Sequence, residues 1–140
     1  RRATVMTPNA DELAVLTHQR PATTQAEAIA QARGWAQETG TAIVVKTGHL
    51  HGPCAANIWV GPHGEIHRVD APRIETTATH GTGCSLSSAI ACGLARGFSV
   101  DVAVRDAKAY VAGALAAGLN LGRGSGPLDH MWQYGAPMPC

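Results

Sequence analysis

The stretch Thr24–Lys46, T-Q-A-E-A-I-A-Q-A-R-G-W-A-Q-E-T-G-T-A-I-V-V-K, decides the class of fold. Thr24 and Glu27 have the S/T-x-x-E spacing in which each side chain caps the other residue's backbone N–H at a helix start. From there Ile29, Ala32 and Ala36 recur at helical spacing, with Trp35 at the edge of the stripe. Gly40 supplies the left-handed residue that closes the helix near Thr39. Thr41–Lys46 then runs almost wholly apolar, as a strand buried on both faces does. A helix feeding such a strand is the building unit of an α/β domain.

Toward the N-terminus, Ala3–Met6 reads as a short buried strand ending at Thr7-Pro8. A helix follows with Asn9 as N-cap, Asp11 and Glu12 in its first turn, and Leu13 and Leu16 facing inward. Pro21 ends the connection. Strand, helices and strand of this length form a crossover, so the strands at 3–6 and 41–46 are expected to be parallel. Toward the C-terminus, Ala56–Val60 and Glu65–Val69, joined by Gly61-Pro62-His63-Gly64, read as an antiparallel hairpin at the sheet edge. After Thr79–Cys84 (T-H-G-T-G-C), a helix is expected from about Ser85 to Arg96, with Leu86, Ala89, Ile90 and Leu94 on one face and Gly97 as its stop. Ser99 caps a last helix in which Val100, Val104, Ala107, Val111, Ala114 and Leu119 recur. Gly122–Pro127 reads as a loop.

The chain has 140 residues, enough for one domain with a core. It is 45% hydrophobic and 15% charged, which excludes a disordered tail. A net charge of +1 gives no electrostatic reason for a nucleic-acid or anionic-membrane partner. Cys54, Cys84, Cys92 and Cys140 form neither a C-x-x-C pair nor a zinc-finger cluster with histidine. Free thiols in a reducing, cytoplasmic setting are expected. No apolar run is long enough to span a bilayer, and no signal peptide opens the chain. The start, Arg1-Arg2 leading at once into a strand, looks like a sequence entered in the middle of a domain.

Chemistry concentrates first at His80-Gly81-Thr82-Gly83-Cys84. Two glycines separated by one residue let backbone N–H groups turn toward a common point, and the helix behind adds its own unpaired N–H groups and positive dipole end. The product is an anion site suited to phosphate. Cys84 falls at the helix start, a setting that favours thiolate, where it could serve as base or stabilise a transferring group. A plain turn with a small buried cysteine is the competing reading, and Thr79, His80, Thr82 and Ser85 crowd polar groups onto it without an evident packing purpose. Asn9 and Glu12 follow a strand's C-terminal end, where open α/β sheets bind ligands. They could place oxygens near a magnesium–phosphate through waters, or cap the helix, or do both. Lys46, before Thr47-Gly48-His49, should share that sheet edge and could meet a phosphate as a point charge or stay solvated. Gly124-Ser125-Gly126-Pro127 with His130 could close over a nucleotide or be a tail. His18, His51, His63 and His67 read as solvated, and Trp35, Trp59 and Trp132 show no stacking spacing.

Taken in order, T-P-N-A-D-E at 7–12, V-K-T-G-H at 45–49, T-H-G-T-G-C-S-L-S-S-A-I-A at 79–91 and G-x-G-P at 124–127 with His130 resemble the kinases that phosphorylate hydroxymethylpyrimidine in thiamine biosynthesis. The T-H-G-T-G-C block is the most specific piece. Related vitamin and sugar kinases usually carry aspartate where Cys84 stands, and thiazole kinases carry a cysteine in a different context. The resemblance implies a ribokinase-like three-layer α/β sandwich, here partial: a mostly parallel sheet with helices on both faces and an antiparallel edge hairpin. It implies ATP and magnesium as cofactors. It also implies two successive phosphorylations, of 4-amino-5-hydroxymethyl-2-methylpyrimidine and of its monophosphate. By position, Gly81, Thr82 and Gly83 would form the anion hole, and Cys84 would stand in the place of the base. Lys46, Thr79, His80 and Gly126 would lie on the nucleotide side, with Asn9 and Glu12 tied to magnesium through water. Members of that family are about twice as long, so residues 1–140 are expected to be a C-terminal half, lacking the N-terminal acceptor pocket. A homo-oligomer or a separate N-terminal half would be its partner. Pyridoxal or hydroxyethylthiazole kinase, and an inactive nucleotide-binding fragment, stand as alternatives.

Overall fold

The computed structural model describes residues 3–47, 54–119 and 121–135. The chain divides into two compact units, Arg1–Arg73 and Ile74–Cys140. The first holds β1 (Val5–Met6), α1 (Ala10–Thr17), α2 (Gln25–Thr39), β2 (Ala42–Lys46), β3 (Cys54–Val60) and β4 (Ile66–Pro72). The second holds α3 (Thr82–Ala95), α4 (Val100–Ala116) and a 3-10 turn, Trp132–Tyr134.

In the first unit both helices begin at complete capping boxes, Asn9 with Glu12 and Thr24 with Glu27. Gly40 closes α2 in the left-handed conformation (φ 69°), as its position predicts. The strands lie in the order β1-β2-β3-β4. β1 and β2 are parallel, Val5 opposite Ala42 and Met6 opposite Ile43, which is the expected crossover. β2–β3 and β3–β4 are antiparallel, so the sheet is parallel at one pair and ends in the expected hairpin. The turn at Gly61–Gly64 is too short to carry a chain back for parallel pairing. Its strands run longer than the alternation alone suggested, to Cys54 and Pro72. Thr41 stands just outside β2, where its hydroxyl donates to the Ala3 carbonyl at 3.2 Å.

One face of this sheet packs on the helices. Ile43, Val45, Ile58 and Val60 meet Leu13, Ala28, Ala32 and Ala36, with Met6, Ile29 and Trp35 at the margin. The three alanines are fully buried and let α2 lie close to the strands. Each large side chain buried there contributes about 1.5–3 kcal/mol. Val44, pointing to the opposite face of β2, is also fully buried, which accounts for the unbroken apolar run.

In the second unit α3 begins at Thr82, three residues before the predicted Ser85, and takes Gly83 and Cys84 into its first turn. Leu86 and Ile90 are buried as expected, and Gly93 is buried with them because a Cβ there would come within 2.9 Å of the Ala103 Cβ. Gly97 ends the helix at φ 85°, and Ser99 caps α4. Val104, Ala107, Val111 and Ala114 form the buried stripe of α4. The helix stops at Ala116, however, and Leu119 is 42% exposed beyond it. Leu119 instead gives its N–H to the Pro127 carbonyl at 3.3 Å, a loop contact that the helical spacing did not anticipate. Among the described residues no helix is long and apolar enough to cross a membrane.

Candidate functional site

Two clusters of polar groups stand out, one in each unit. In the first, the Lys46 N–H donates to the Pro8 carbonyl at 3.0 Å, and Asn9 and Lys46 pair as a parallel bridge beyond β1 and β2. This is the C-terminal end of the parallel pair, where ligands of α/β sheets gather. The Asn9 N–H donates to Glu12 Oε2 at 2.7 Å, and the Glu12 N–H donates to Asn9 Oδ1 at 2.7 Å. Lys46 Nζ stands 3.6 Å from the same Oε2. Capping is therefore an established task of both side chains, and Lys46 is held by Glu12 rather than free in solvent. Thr47 is buried and anchors the strand end, its hydroxyl donating to the Ala56 carbonyl at 2.7 Å. Gly48, His49 and His51 lie outside the described residues.

The donor set for a metal is modest. Asn9 Oδ1 is committed to the cap, and Glu12 retains Oε1, which has no protein partner among the described residues. No group of three His, Cys, Asp or Glu side chains converges among the described residues. One free carboxylate oxygen fits a magnesium ion held through water and phosphate oxygens, not one caged by protein.

The second cluster is the turn into α3. Gly81 is its N-cap, at φ 86° and ψ 0°, and provides no side-chain cap. A Cβ on Gly81 would meet no atom within 4 Å, so the left-handed backbone, not crowding, is what calls for glycine. The Ser85 N–H makes the first helical bond, to the Gly81 carbonyl at 2.9 Å, and the Thr82 N–H reaches the Thr79 carbonyl only at 3.4 Å. The N–H groups of Gly83 and Cys84 have no acceptor among the described residues. They point out of a helix N-terminus, an arrangement that attracts anions. The Cys84 thiol is free and exposed beside them.

What shapes the approach to this turn comes from far along the chain. The His80 N–H donates to the Gly126 carbonyl at 3.1 Å, and the Gly126 N–H donates to the Thr77 carbonyl at 3.0 Å. His80 and Pro127 pair as a parallel bridge. Gly126 is buried, and a Cβ on it would lie 2.7 Å from the Leu119 carbonyl oxygen. Thr79, His80 and Gly126 thus gather at the turn that carries Gly81–Cys84, while Asn9, Glu12 and Lys46 belong to the other unit.

Other side chains pair in ways the sequence did not reveal. His130 takes Tyr110 as partner, with the phenol oxygen 3.0 Å from Nδ1 and the rings near parallel. His67 is exposed, as expected, yet its ring lies 4.8 Å from that of Trp59. The cross-strand pairing of Trp59 with His67 in the β3–β4 register was the signal available for it.

A family model described as phosphomethylpyrimidine kinase matches residues 1–129. The chain is 49% identical over 128 residues to the thiamine biosynthesis multifunctional protein ThiED of Corynebacterium efficiens, covering 90% of this chain and 17% of that one. It is 47% identical over 139 residues to the hydroxymethylpyrimidine/phosphomethylpyrimidine kinase of Streptomyces coelicolor, covering 95% of this chain and 48% of the relative. The chain thus spans about half the length of the kinases it matches, and less of ThiED. Among solved structures, the ADP complex of Bacillus subtilis pyridoxal kinase superposes with a TM-score of 0.88 at 27% identity, over 96% of this chain and 50% of that one. Staphylococcus aureus pyridoxal kinase with ADP superposes with a TM-score of 0.86 at 26% identity, over 92% and 47%.

Proposed function

Because the chain belongs to the phosphomethylpyrimidine kinase family and has a ribokinase-like fold, we propose that it forms the phosphate-donor side of an ATP-dependent kinase. Its acceptors are 4-amino-5-hydroxymethyl-2-methylpyrimidine and then the monophosphate of that alcohol. The observation that supports this best is the turn at Gly81–Cys84, with two N–H groups at the start of α3 that have no acceptor among the described residues and an exposed thiol beside them. In this reading Gly81, Thr82 and Gly83 form the hole that receives the transferring phosphoryl oxygens. Donors fixed in place before charge develops need no reorganisation as it does.

Cys84 acts as the base of the first step. The acceptor hydroxyl gives its proton to the thiolate, its oxygen bonds to the γ-phosphorus, and ADP leaves with the electrons of the broken bond. In the second step the nucleophile is already a phosphate oxygen anion, so positioning and charge neutralisation dominate and the thiolate matters less. Thr79, His80 and Gly126 border the nucleotide, and Lys46 offers its ammonium to the phosphates. Glu12, whose Oε1 has no protein partner among the described residues, would hold magnesium through intervening water with Asn9 beside it, and the ion would supply positive charge to the phosphates. A cytoplasmic setting accords with the free thiols of Cys84 and Cys92. The acceptor pocket falls to the half of the family's length that this chain does not span, supplied by a separate half or a further stretch of chain.

Pyridoxal kinase is the second reading, favoured by the superpositions. It is weaker because identity falls from 47% with the hydroxymethylpyrimidine kinase of Streptomyces coelicolor to 27% with the pyridoxal kinase of Bacillus subtilis. The test is a coupled kinase assay on a hybrid enzyme, the Streptomyces coelicolor relative with its matching segment replaced by this chain. Hydroxymethylpyrimidine, pyridoxal and hydroxyethylthiazole are offered side by side. Turnover of the first, and then of its phosphate, is expected. Preference for pyridoxal, or no turnover by a folded hybrid, would refute the assignment. The 140-residue chain alone should turn over none of the three.

A further inference from the structure

Between Gly126 and Trp132 the tail is fastened at nearly every residue. Gly126 bonds to His80 and Thr77, and the Pro127 carbonyl accepts from the Leu119 N–H. The Leu128 side chain is buried, and the Asp129 N–H donates to the Ala114 carbonyl, near the end of α4, at 3.2 Å. His130 meets the Tyr110 hydroxyl at 3.0 Å. The Met131 N–H donates to Asp129 Oδ1 at 2.8 Å, closing a tight turn of the kind aspartate favours. Trp132 follows, and its indole ring lies against Gly113 of α4, where any Cβ would collide with the ring carbons. Gly113 keeps helical backbone angles, so conformational freedom is not why it is glycine. Glycine weakens a helix relative to alanine, and the seated ring supplies the reason for it. The indole N–H is buried without an acceptor among the described residues, so shape rather than a bond holds the ring.

The other end of this strap is the turn that carries Gly81–Cys84, which has little support of its own. Gly81 offers no capping side chain, and the Thr82 N–H reaches the Thr79 carbonyl only at 3.4 Å. The bond from His80 to Gly126 lies directly before the turn's first glycine. Were the tail loose beyond α4, forming that bond would have to order the whole segment from Ala117 onward. With Asp129 and Trp132 held on α4, Gly126 sits in a loop closed at both ends and has less freedom to lose.

We propose that Trp132, seated on Gly113, is a positioning residue for the phosphate turn: it fixes the tail on α4 so that the Gly126 carbonyl holds His80 and, through it, Gly81–Cys84. The inference rests on the kinase reading above for what the turn receives, but the strap itself is measured without catalysis. Hydrogen exchange of single backbone amides is followed by NMR in the 140-residue chain. Trp132→Ala should speed exchange of the His80 and Gly126 amides by about ten-fold or more, while the Ile90 amide in the middle of α3 keeps its rate. Gly113→Ala should also free His80 by displacing the ring, although alanine is the better helix former. Trp132→Phe keeps a ring over Gly113 and should restore slow exchange. Tyr134→Ala, which removes a 77% exposed ring two residues on, should change none of these rates. His80 exchange as slow as in the wild type, in either Trp132→Ala or Gly113→Ala, would overturn the proposal. So would a rise at Ile90 in step with His80, because the fold as a whole would then have loosened.

Kinetics of the hybrid enzyme then separate positioning from mere support. Trp132→Ala should lower kcat of both phosphorylations by about 10- to 100-fold and leave the KM of each acceptor unchanged, since a displaced hole misplaces the same phosphoryl group in each step. Trp132→Phe should recover most of the rate. A raised acceptor KM with kcat intact would overturn the positioning role. A folded hybrid without turnover would refute the kinase assignment, while the exchange rates would still uphold or overturn the strap.

Discussion

Glu12 performs one task in the fold and is assigned a second in catalysis, and substitution separates them. Glu12→Gln keeps an acceptor oxygen for the Asn9 N–H, now 2.7 Å from Oε2, and so keeps the cap. It removes the ion pair with Lys46 at 3.6 Å, in which Glu12 is 57% and Lys46 23% exposed. Pairs that open to water are worth about 0.2–1 kcal/mol. A negative charge in the first helical turn adds about 0.3–1 kcal/mol. Together they set the cost of glutamine at about 0.5–2 kcal/mol. Alanine loses the accepting oxygen as well, for about 1 kcal/mol more. In a domain of this size each kcal/mol lowers the melting temperature by about 3–5 °C. Melting curves followed by circular dichroism, at about 0.05 M and about 1 M NaCl, resolve the two parts because salt screens only the charge. Glutamine should approach the wild type at high salt, and alanine should not. Glutamine as costly as alanine at both salts would refute the capping argument. In the hybrid enzyme, Glu12→Gln should raise the magnesium concentration needed for half-maximal rate. A lowered melting temperature with an unaltered magnesium response would leave Glu12 as a cap alone.

Cys84→Ala in the hybrid should slow phosphorylation of the alcohol by about 10²- to 10⁴-fold, the usual loss with a general base. It should slow phosphorylation of the monophosphate less and be partly rescued by Cys84→Asp, and in the 140-residue chain it should leave the melting curve nearly unchanged because Cys84 is exposed there. Small, equal effects on both steps would mean the base is elsewhere. Gly81→Ala forces a side chain into φ 86°, at about 1–2 kcal/mol, whereas Gly126→Ala sets a Cβ 2.7 Å from the Leu119 carbonyl and must shift backbone. Urea melts should therefore show Gly126→Ala as the more damaging, and the reverse order would refute the packing described at the loop. Hydrogen bonds from the Thr23 backbone and hydroxyl hold the Glu27 carboxyl below its ordinary value of 4.5. Its contribution is thus present above that value and lost as pH falls through the lower folded value. Glu27→Gln should flatten the decline in melting temperature below about pH 4.5, and an unchanged acid slope would contradict this.

Much of the first unit was legible because its signals are local. Asn9 with Glu12, Thr24 with Glu27, Gly40, and the G-P-H-G turn each act within a few residues, and each sits where the spacing placed it. The start of α3 was misplaced because Gly81 offers no capping side chain, and Thr-Gly-Cys has little helical character to announce the first turn. Long-range backbone pairing shapes the approach, and periodicity cannot register it. Leu119 fell out of α4 for the same cause, and the partnership of Tyr110 with His130 has no local signature. The residue types of the candidate site could be read directly. The engagement of Lys46 by Glu12 could not, since it depends on the register of β1 against β2.

The bonds from His80 to Gly126 and from Gly126 to Thr77 have a consequence for the order in which the protein is made. A chain emerging from the ribosome has released every strand of the first unit, and both long helices of the second, before Gly126 appears. The approach to the turn into α3 is therefore among the last parts to take shape, although its own sequence emerged long before. A truncation just after Ala116 would spare the described strands and both long helices yet leave the His80 N–H to water and the Thr77 carbonyl with the Thr79 N–H alone. Such a product would pass a test of secondary structure and still lack the stitch that holds the turn. Loss of function from a stop codon in the tail would then trace in part to lost backbone hydrogen bonds, with Gly81–Cys84 themselves still present.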